Sequence, residues 1–288
     1  MSLSRLQRLR YLAWAARYSV GARDTNCPAC GTQATTIIRR KYLVTSLWEC
    51  ASCRLRFRVP KDSKEKSSHF YQDTYAQGFT TDCPSDEVLS SLVARNFSGA
   101  EKDFGGYIDI LRAVGLKDGD SILDFGCSWG YGSWQLSHAG FKVHSYEISK
   151  PRAAFARTKL GCNVLASLAD LTERVDCFFS SHVIEHLPDP NVMWNAASVV
   201  LSARGVMVCF CPNGSPGLES TYGHTTYDRL WGKVHPLLIT PNFLRRNSAR
   251  HGYEVRLYSR PFAIDALATS HEEPNLQGDE LCMIAKKT

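Results

Sequence analysis

From residue 99 onward, short apolar runs alternate with stretches whose apolar positions recur at helical spacing. Strands that alternate with helices form a parallel sheet with helices on both faces, and right-handed crossovers bring the loops after the strands to one edge. The pattern therefore predicts an α/β fold with a doubly wound sheet. Strands are predicted from residue 122 and over 142–147, 163–165, 175–181 and 206–210, and helices over 99–115, 152–160, 192–201 and 241–251.

A glycine-rich turn, Asp124-Phe-Gly-Cys-Ser-Trp-Gly-Tyr-Gly132, follows the first of these strands and leads into a helix near Ser133. Such a turn presents unpaired N–H groups at the ligand-binding edge of the sheet. Glu147 ends the next strand, where its carboxylate can accept both hydroxyls of a ribose. These features predict a nucleoside-containing cofactor, although glycine-rich turns also occur as plain structural turns.

The spacing of the turn excludes two common nucleotide sites. A dinucleotide fold has Gly-x-Gly-x-x-Gly directly after the first strand, whereas here Asp124 precedes the turn. No Lys-Ser/Thr pair follows the turn, which excludes a phosphate-binding P-loop.

The arrangement resembles motif I of the class I S-adenosylmethionine-dependent methyltransferases, over about residues 100–288. The resemblance implies a Rossmann-like, mostly parallel seven-stranded sheet, closed by strands at 254–258 and 281–285, in a methyltransferase domain over residues 99–288. The family's middle glycine is Ser128 here, and we expect the turn to tolerate it if Ser128 keeps φ below zero. The implied cofactor-binding residues are Asp124, Gly126, Cys127, Ser128, Gly130, Glu147, Ile148, Ser181 and His182.

Two Cys-x-x-Cys pairs lie ahead of this domain, Cys27-Pro-Ala-Cys30 and Cys50-Ala-Ser-Cys53, with 19 residues between them. Each pair can form a tight knuckle that supplies two corners of a tetrahedral zinc site. Four thiolates leave no open position for an activated water, so the predicted zinc is structural. We expect a small zinc ribbon over residues 25–60, with a redox-active cysteine pair as the alternative.

Composition narrows the class of protein only in part. The chain of 288 residues has room for one large α/β domain and a small appendage. Seven further cysteines lie mostly in apolar runs, as reduced core residues do, and this is consistent with a cytoplasmic location. The net charge of +6 is compatible with an anionic partner but selects none. No run of 18 apolar residues occurs, so no membrane-spanning segment is expected.

The segments that flank the predicted ribbon have their own patterns. Residues 1–24 predict a basic amphipathic helix with five arginines, which suits peripheral membrane contact, an import segment or packing of its leucine face on the protein. Residues 61–98 are expected to form a linker or lid, with an aromatic cluster at 70–75 that either covers the cofactor or packs in the core.

The segment His182-Val-Ile-Glu185-His186-Leu-Pro188 follows the fourth strand and resembles the family's Glu-His-Leu-x-Asp-Pro segment, which faces the methyl-bearing end of the cofactor. This resemblance implies that His182 lines the cofactor pocket, and His186 could serve as general base because histidine titrates near neutral pH. Alternatives are packing and capping by Glu185 and His186, or a divalent cation as in the Glu-x-x-Glu-His motif of some methyltransferases, from which His182 departs.

Between Pro212 and Pro241 runs a long insertion after the fifth strand. Its aromatic and histidine side chains offer stacking faces and proton acceptors for a sugar or another polyhydroxylated acceptor. The candidate catalytic residues are therefore Glu185 and His186, with His224 and His235 from the insertion. The five residues of interest in the insertion are Tyr222, His224, Tyr227, Trp231 and His235.

These features predict methyl transfer from S-adenosylmethionine to oxygen or carbon of a small-molecule or sugar/glycan acceptor, by in-line displacement. A cysteine-pair ribbon ahead of such a domain is similar to bacterial enzymes that methylate nucleotide-linked sugars or cell-surface glycans. Two alternatives stay open. One is a zinc-ribbon RNA methyltransferase, which the basic charge would suit, although the chain lacks the Asn/Asp-Pro-Pro-Tyr/Phe signature of enzymes that methylate base amino groups. The other is a non-catalytic binding protein with a degenerate domain.

Overall fold

The computed structural model describes residues 24–41, 44–62, 82–269 and 275–288, together with residues 9, 12, 13 and 16, which are helical. The remainder of the predicted amphipathic helix over 1–24 lies outside the described residues. The aromatic cluster at 70–75, for which a lid or a packing role was predicted, also lies outside them.

Short strands and helices alternate along the described chain. The strands are β1 Thr36–Lys41, β2 Thr45–Glu49, β3 Arg56–Val59, β4 Ser121–Phe125, β5 Lys142–Tyr146, β6 Val164–Leu165, β7 Val175–Ser181, β8 Leu201–Pro212, β9 Leu237–Leu238, β10 Tyr253–Ser259 and β11 Glu280–Lys287. The helices are α1 Asp86–Ala94, α2 Gly105–Ala113, α3 Tyr131–His138, α4 Lys150–Leu160, α5 Asn191–Val200, α6 Leu218–Tyr222, α7 His224–Arg229, α8 Pro241–Arg250 and α9 Ile264–Ala268, with 3₁₀ turns at Leu168–Asp170 and Ile184–His186.

Seven strands form the main sheet in the order β10-β11-β8-β7-β4-β5-β6. The pairings among β8, β7, β4, β5 and β6 are parallel, and β11 is antiparallel to both β8 and β10. The predicted fold class, a doubly wound and mostly parallel seven-stranded sheet, is therefore confirmed. The two C-terminal strands close the sheet at one edge, as the resemblance implied.

The apolar pattern of β7 shows why helices cover both faces of this sheet. Successive side chains of a strand point to opposite faces, so Phe178 and Phe179 enter two different hydrophobic clusters. Both rings are fully buried. A strand with two apolar faces needs cover on both sides, and the crossover helices supply it.

Local signals set the ends of several elements. Helix α8 begins at Pro241, directly after Thr240, whose Oγ1 accepts a hydrogen bond of 3.2 Å from the backbone N–H of Phe243. Helix α4 ends at Gly161, which has φ of +65°. Both boundaries follow from residue types that the sequence shows directly.

A second, four-stranded antiparallel sheet has the order β1-β2-β3-β9. Its first three strands come from the predicted ribbon, whereas β9 belongs to the insertion that follows β8. Cys27 and Cys50 pack in the same hydrophobic cluster as Phe178 of the main sheet. The predicted ribbon thus shares a hydrophobic cluster with the main sheet. None of the helices in the described stretches has the length and apolar content that a membrane crossing needs.

Candidate active site

A cleft of about 870 Å³ opens at the carboxyl edge of the main sheet. The turn after β4, the start of the loop after β5 and the segment after β7 all contribute to its wall. This is the edge at which open α/β sheets bind ligands. The wall includes Gly126, Ser128, Glu147, Ile148, Ser181, His182, Glu185, His186, His235 and Arg260, with the rings of Phe104, Tyr107, Phe125, Tyr131, Tyr146 and Phe262.

The glycines of the turn are required by close packing. Gly126 has φ of +89°, and a Cβ there would lie 2.4 Å from Val183 Cγ2. Gly130 has φ of +92°, and a Cβ there would lie 2.8 Å from Ala156 Cβ. Only glycine combines this backbone conformation with these contacts. The sharp bend predicted from the sequence is therefore present.

Ser128 occupies the turn in a left-handed conformation with φ of +53°, so the condition on which we expected the turn to tolerate it, a φ below zero, is not met. This conformation costs a non-glycine residue roughly 1–2 kcal/mol. Two hydrogen bonds hold it: the Ser128 N–H donates to Glu147 Oε2 at 2.9 Å, and Arg152 Nη1 donates to Ser128 Oγ at 2.9 Å. The turn therefore accepts a serine at the position of the family's glycine because these hydrogen bonds offset the cost of its backbone conformation.

Glu147 lies directly after β5 and lines the cleft. Its Oε1 accepts a hydrogen bond of 2.7 Å from the backbone N–H of Ser149. Burial raises the pKa of this carboxyl, and the backbone hydrogen bonds from Ser149 and Ser128 oppose the rise. The position suits a hydrogen-bonded carboxylate facing a ribose, and that role stays a prediction.

Asp124 lies behind the turn rather than in the cleft wall. Its Oδ2 accepts a hydrogen bond of 2.6 Å from Ser133 Oγ, which in turn accepts one of 2.8 Å from Ser145 Oγ. Burial raises the pKa of Asp124 to about 7. The structure therefore gives Asp124 a supporting position under the turn. Cys127 and Gly130 are likewise absent from the described cleft wall, and Cys127 packs with Ala153 and Val164.

His182 sits between two carboxylates at the end of β7, with φ of +55°. Its Nε2 lies 2.7 Å from Glu280 Oε1, and its Nδ1 lies 3.3 Å from Glu185 Oε1. Burial lowers the pKa of this imidazole, but the two carboxylates overcome that effect and raise it to about 10. His182 is therefore an imidazolium at neutral pH, and 46% of its side chain is exposed.

Sequence reasoning missed the other members of this network. Tyr107 donates a hydrogen bond of 2.5 Å to Glu280 Oε1, and Arg260 Nη2 lies 2.5 Å from Glu280 Oε2. The one signal in the sequence was an acid, Glu280, at the head of an apolar strand. Tyr107 and His182 are more than 90 residues away along the chain, and Arg260 follows the neighbouring strand β10, so spacing could not reveal these partners.

Glu185 lies in the 3₁₀ turn Ile184–His186 and is 2% exposed. Its Oε2 accepts no hydrogen bond from any described residue. Burial would raise its pKa, but His182, His186 and His235 together lower the pKa to about 2. Glu185 is thus a buried carboxylate that is ionised at neutral pH.

His186 and His235 meet edge to face beside this carboxylate, with ring centroids 4.6 Å apart. His186 Nδ1 donates to the carbonyl of Val234 at 2.9 Å. Burial lowers the pKa of both imidazoles, that of His235 to about 4. Both rings are therefore neutral at pH 7, and each can accept a proton. The structure brings together Glu185, His186 and His235, three of the four candidate catalytic residues.

The remaining candidate, His224, is not brought to the cleft. Its side chain is 82% exposed and contacts Glu219 and Arg39 on the outer face of the insertion. Tyr227 and Trp231 are buried against Leu47 of the ribbon. These rings bury apolar surface between the insertion and the ribbon, so they do not supply the stacking faces that were expected of them.

The four cysteines of the ribbon converge as predicted, with all four sulfur atoms within 4.8 Å of one another. Cys27 and Cys53 have Sγ atoms 3.4 Å apart, as do Cys30 and Cys50. Tetrahedral zinc with Zn–S bonds of 2.3 Å would place sulfurs about 3.8 Å apart. The donor set and spacing therefore fit a structural zinc ion, which stays a prediction.

Comparison with known proteins supports the family resemblance over part of the chain. Residues 123–209 match the family model described as a methyltransferase domain. A 92-residue stretch, 30% of this chain, is 34% identical to an uncharacterized methyltransferase of Geobacillus sp. (strain WCH70). The match covers 43% of that relative, so the chain spans less than half of its length.

Solved structures share the fold at low sequence identity. The magnesium protoporphyrin IX methyltransferase of Synechocystis PCC 6803 with bound SAH aligns with a TM-score of 0.51 and 15% identity, over 78% of this chain and 100% of that one. A TehB-like SAM-dependent methyltransferase of Corynebacterium glutamicum aligns with a TM-score of 0.48 and 20% identity, over 70% and 95% of the two chains. The sheet order and the alignment with the Synechocystis structure show that the main domain has a Rossmann-like methyltransferase fold.

Proposed function

We propose that this protein transfers a methyl group from S-adenosylmethionine to oxygen or carbon of a small-molecule or sugar acceptor bound in the cleft. The observation that carries this proposal is that one cleft is lined both by Glu147 beside the glycine turn and by the cluster of Glu185, His186 and His235. Methyl transfer to a hydroxyl requires a group that holds the cofactor and a group that accepts the hydroxyl proton. The carboxylate of Glu147 and the cluster would supply these two groups in the same cavity.

Two residues beside the glycine-rich turn suit binding of the cofactor. The carboxylate of Glu147 would hold the ribose hydroxyls, and the side chain of Ile148, which is 48% exposed, offers an apolar surface for the base. When bound, S-adenosylmethionine supplies a methyl group on a positively charged sulfur. The protein's task is then to place the acceptor atom in line with that methyl group.

For a hydroxyl acceptor, a bond forms between the acceptor oxygen and the methyl carbon while the carbon–sulfur bond breaks and its electron pair goes to sulfur. The hydroxyl proton passes to a neutral imidazole, and His186 or His235 can take it. Glu185 Oε1 lies 4.0 Å from His186 Nε2, so the ionised carboxylate stabilises the imidazolium that results.

The aromatic wall of the cleft supports an organic acceptor of modest size. Tyr107, Tyr131 and Phe262 line it, and a cavity of about 870 Å³ is in the range that small ligands occupy. Because Tyr227 and Trp231 of the insertion are buried, stacking of the acceptor would fall to these side chains instead.

Two basic residues of the first ribbon strand are engaged within the protein. Arg39 Nη1 pairs with Asp228 Oδ1 at 3.0 Å, and Lys41 Nζ donates to the carbonyl of Trp231 at 2.7 Å. This supports a small-molecule acceptor over the RNA alternative. An intact cleft with an ordered turn likewise supports an active enzyme over a degenerate binding domain.

Calorimetry with S-adenosylmethionine tests the cofactor site. Glu147→Gln should weaken binding at least about tenfold because it replaces a charged acceptor of hydrogen bonds. Glu254→Gln, an exposed change on β10, is the matched control and should leave the affinity unchanged. No binding by the wild-type protein would favour the non-catalytic alternative.

Methyl-labelled cofactor then identifies the acceptor. The protein is incubated with the label and with separate glycan, lipid, small-molecule and RNA fractions, and the products are examined by mass spectrometry. Label in a glycan or small-molecule fraction is expected. Label that enters RNA alone would contradict the proposal and favour the ribbon-containing RNA methyltransferase.

A further inference from the structure

We propose that Glu185, His186 and His235 form a binding site for a divalent first-row transition-metal ion in the wall of the cleft. The site would be distinct from the four-cysteine centre of the ribbon. It rests on the proposed function in that it lies in the same cleft: with the ion bound, His186 and His235 would be its ligands, and the ion would lower the pKa of an acceptor hydroxyl in place of the neutral imidazole base. Its test requires no cofactor.

The three side chains converge although they come from two distant segments. One ligand atom from each, a carboxylate oxygen and two imidazole nitrogens, lies within 4.8 Å of the others. Two nitrogens and one oxygen are donors that Zn²⁺, Mn²⁺ and Fe²⁺ accept in proteins. Because only three positions come from the protein, further positions would remain open towards the cleft.

Glu185 supplies the strongest indication of a missing partner. The carboxylate is buried, and its Oε2 accepts no hydrogen bond from a described residue. Its Oε1 faces the Nδ1 of His182 at 3.3 Å, and the same ring is also bonded to Glu280 through Nε2. A buried carboxylate normally has its lone pairs satisfied, and a metal ion would do this for Glu185.

His186 is oriented as metal-binding histidines usually are. It holds its Nδ1 on the carbonyl of Val234 at 2.9 Å. A backbone carbonyl accepts the N–H, so in the neutral ring the lone pair lies on the other nitrogen. This second hydrogen bond is the outer support that metal-binding histidines share. In His186 the lone pair is on Nε2, which faces Glu185.

The spacing requires only a small contraction. Ligand atoms bonded to zinc at 2.0–2.2 Å lie about 3.4 Å apart, so the widest separation would shrink by no more than about 1.5 Å. His186 Nε2 and Glu185 Oε1 are already 4.0 Å apart. The shift falls on His235, which belongs to the insertion. An oxygen of the acceptor could then take one of the open positions of the ion.

The test uses the full-length protein given one equivalent of Zn²⁺, which the four thiolates would take in preference to an N/O site, and free of S-adenosylmethionine. Mn²⁺ is titrated in, and the electron paramagnetic resonance signal of free Mn²⁺ is followed. One Mn²⁺ per chain is expected to bind the wild-type protein. Glu185→Gln and His235→Ala should each weaken this binding at least about tenfold, since loss of even an outer partner costs that much. Glu254→Gln should bind as wild type.

Thermal melting shows whether Glu185→Gln and His235→Ala are folded. Mn²⁺ binding is then compared with the wild type only for a variant that is folded. No Mn²⁺ binding by the wild-type protein would overturn the proposal. Equal binding by wild type and both variants would overturn it as well, because the ion would then lie elsewhere. Either failure leaves methyl transfer standing, because calorimetry with S-adenosylmethionine tests that function separately.

Discussion

The backbone N–H of Arg58 donates a hydrogen bond of 2.8 Å to the carbonyl of Pro236, the residue next to His235. Strand β3 pairs with β9 immediately beyond this bond, with Phe57 opposite Leu237. Arg56 Nη1 adds a hydrogen bond of 2.7 Å to the hydroxyl of Tyr227. The predicted zinc ribbon therefore supports the segment that brings His235 to the cleft.

Because the ribbon supports residues 234–239, removal of its predicted metal ion should affect this segment, which lies outside the four-cysteine site. Chelation of the full-length protein should increase amide hydrogen exchange at residues 234–239, since the sheet that holds them loses its bound ion. The affinity for S-adenosylmethionine should stay within about twofold, because Glu147 and the turn lie on other elements. Hydrogen exchange by mass spectrometry and calorimetry measure the two effects.

The matched variants for this prediction are Cys53→Ser, in the buried ribbon centre, and Cys83→Ser, at an exposed cysteine. Only the first should loosen the insertion. Unchanged exchange over residues 234–239 in both the chelated protein and Cys53→Ser would show that the ribbon does not support this segment.

Ser128 offers a test of the strained turn. Ser128→Ala keeps the left-handed backbone of a non-glycine residue but loses the hydrogen bond from Arg152, so it should destabilise the protein by about 1–2 kcal/mol. Ser128→Gly loses the same bond but relieves the backbone cost, and should be the more stable of the two by about 1 kcal/mol. Urea unfolding measures both. A glycine variant no more stable than the alanine variant would contradict this account.

The buried carboxyl of Asp124 predicts a pH effect on stability. Its folded pKa of about 7 lies above the ordinary aspartate pKa of 3.8, so between these values the folded state keeps a proton that the unfolded chain has released. The stability of the wild type should therefore fall as pH rises from 4 to 7, relative to Asp124→Asn. Urea unfolding at several pH values checks the difference, and a wild type that gains stability relative to the variant over this range would refute it.

The two insertion histidines should differ in their effect on turnover. His235 faces His186 in the cleft, so His235→Ala should lower kcat by about 10²-fold or more with the acceptor identified by labelling. His224→Ala changes an exposed ring on the outer face and should leave kcat within about twofold. Comparable losses in both variants would mean that the insertion acts through its fold rather than through His235.

Features that depend on neighbouring residues were available from the sequence alone. The apolar runs predicted the sheet, Gly126 and Gly130 marked the bend, and the spacing of the cysteine pairs predicted their convergence. In each case the backbone within a few residues, or a short hairpin, produces the structure. Pattern and spacing record such local constraints.

Only the tertiary structure decided which distant side chains meet. Glu280 joins Tyr107 and His182 because β11 lies beside β8 in the sheet, and His235 reaches the cleft because β9 pairs with the ribbon. The same packing turns His224 outward and holds Ser128 in a left-handed conformation. These outcomes depend on the free energy of burying surfaces far apart in the chain, which residue spacing does not record.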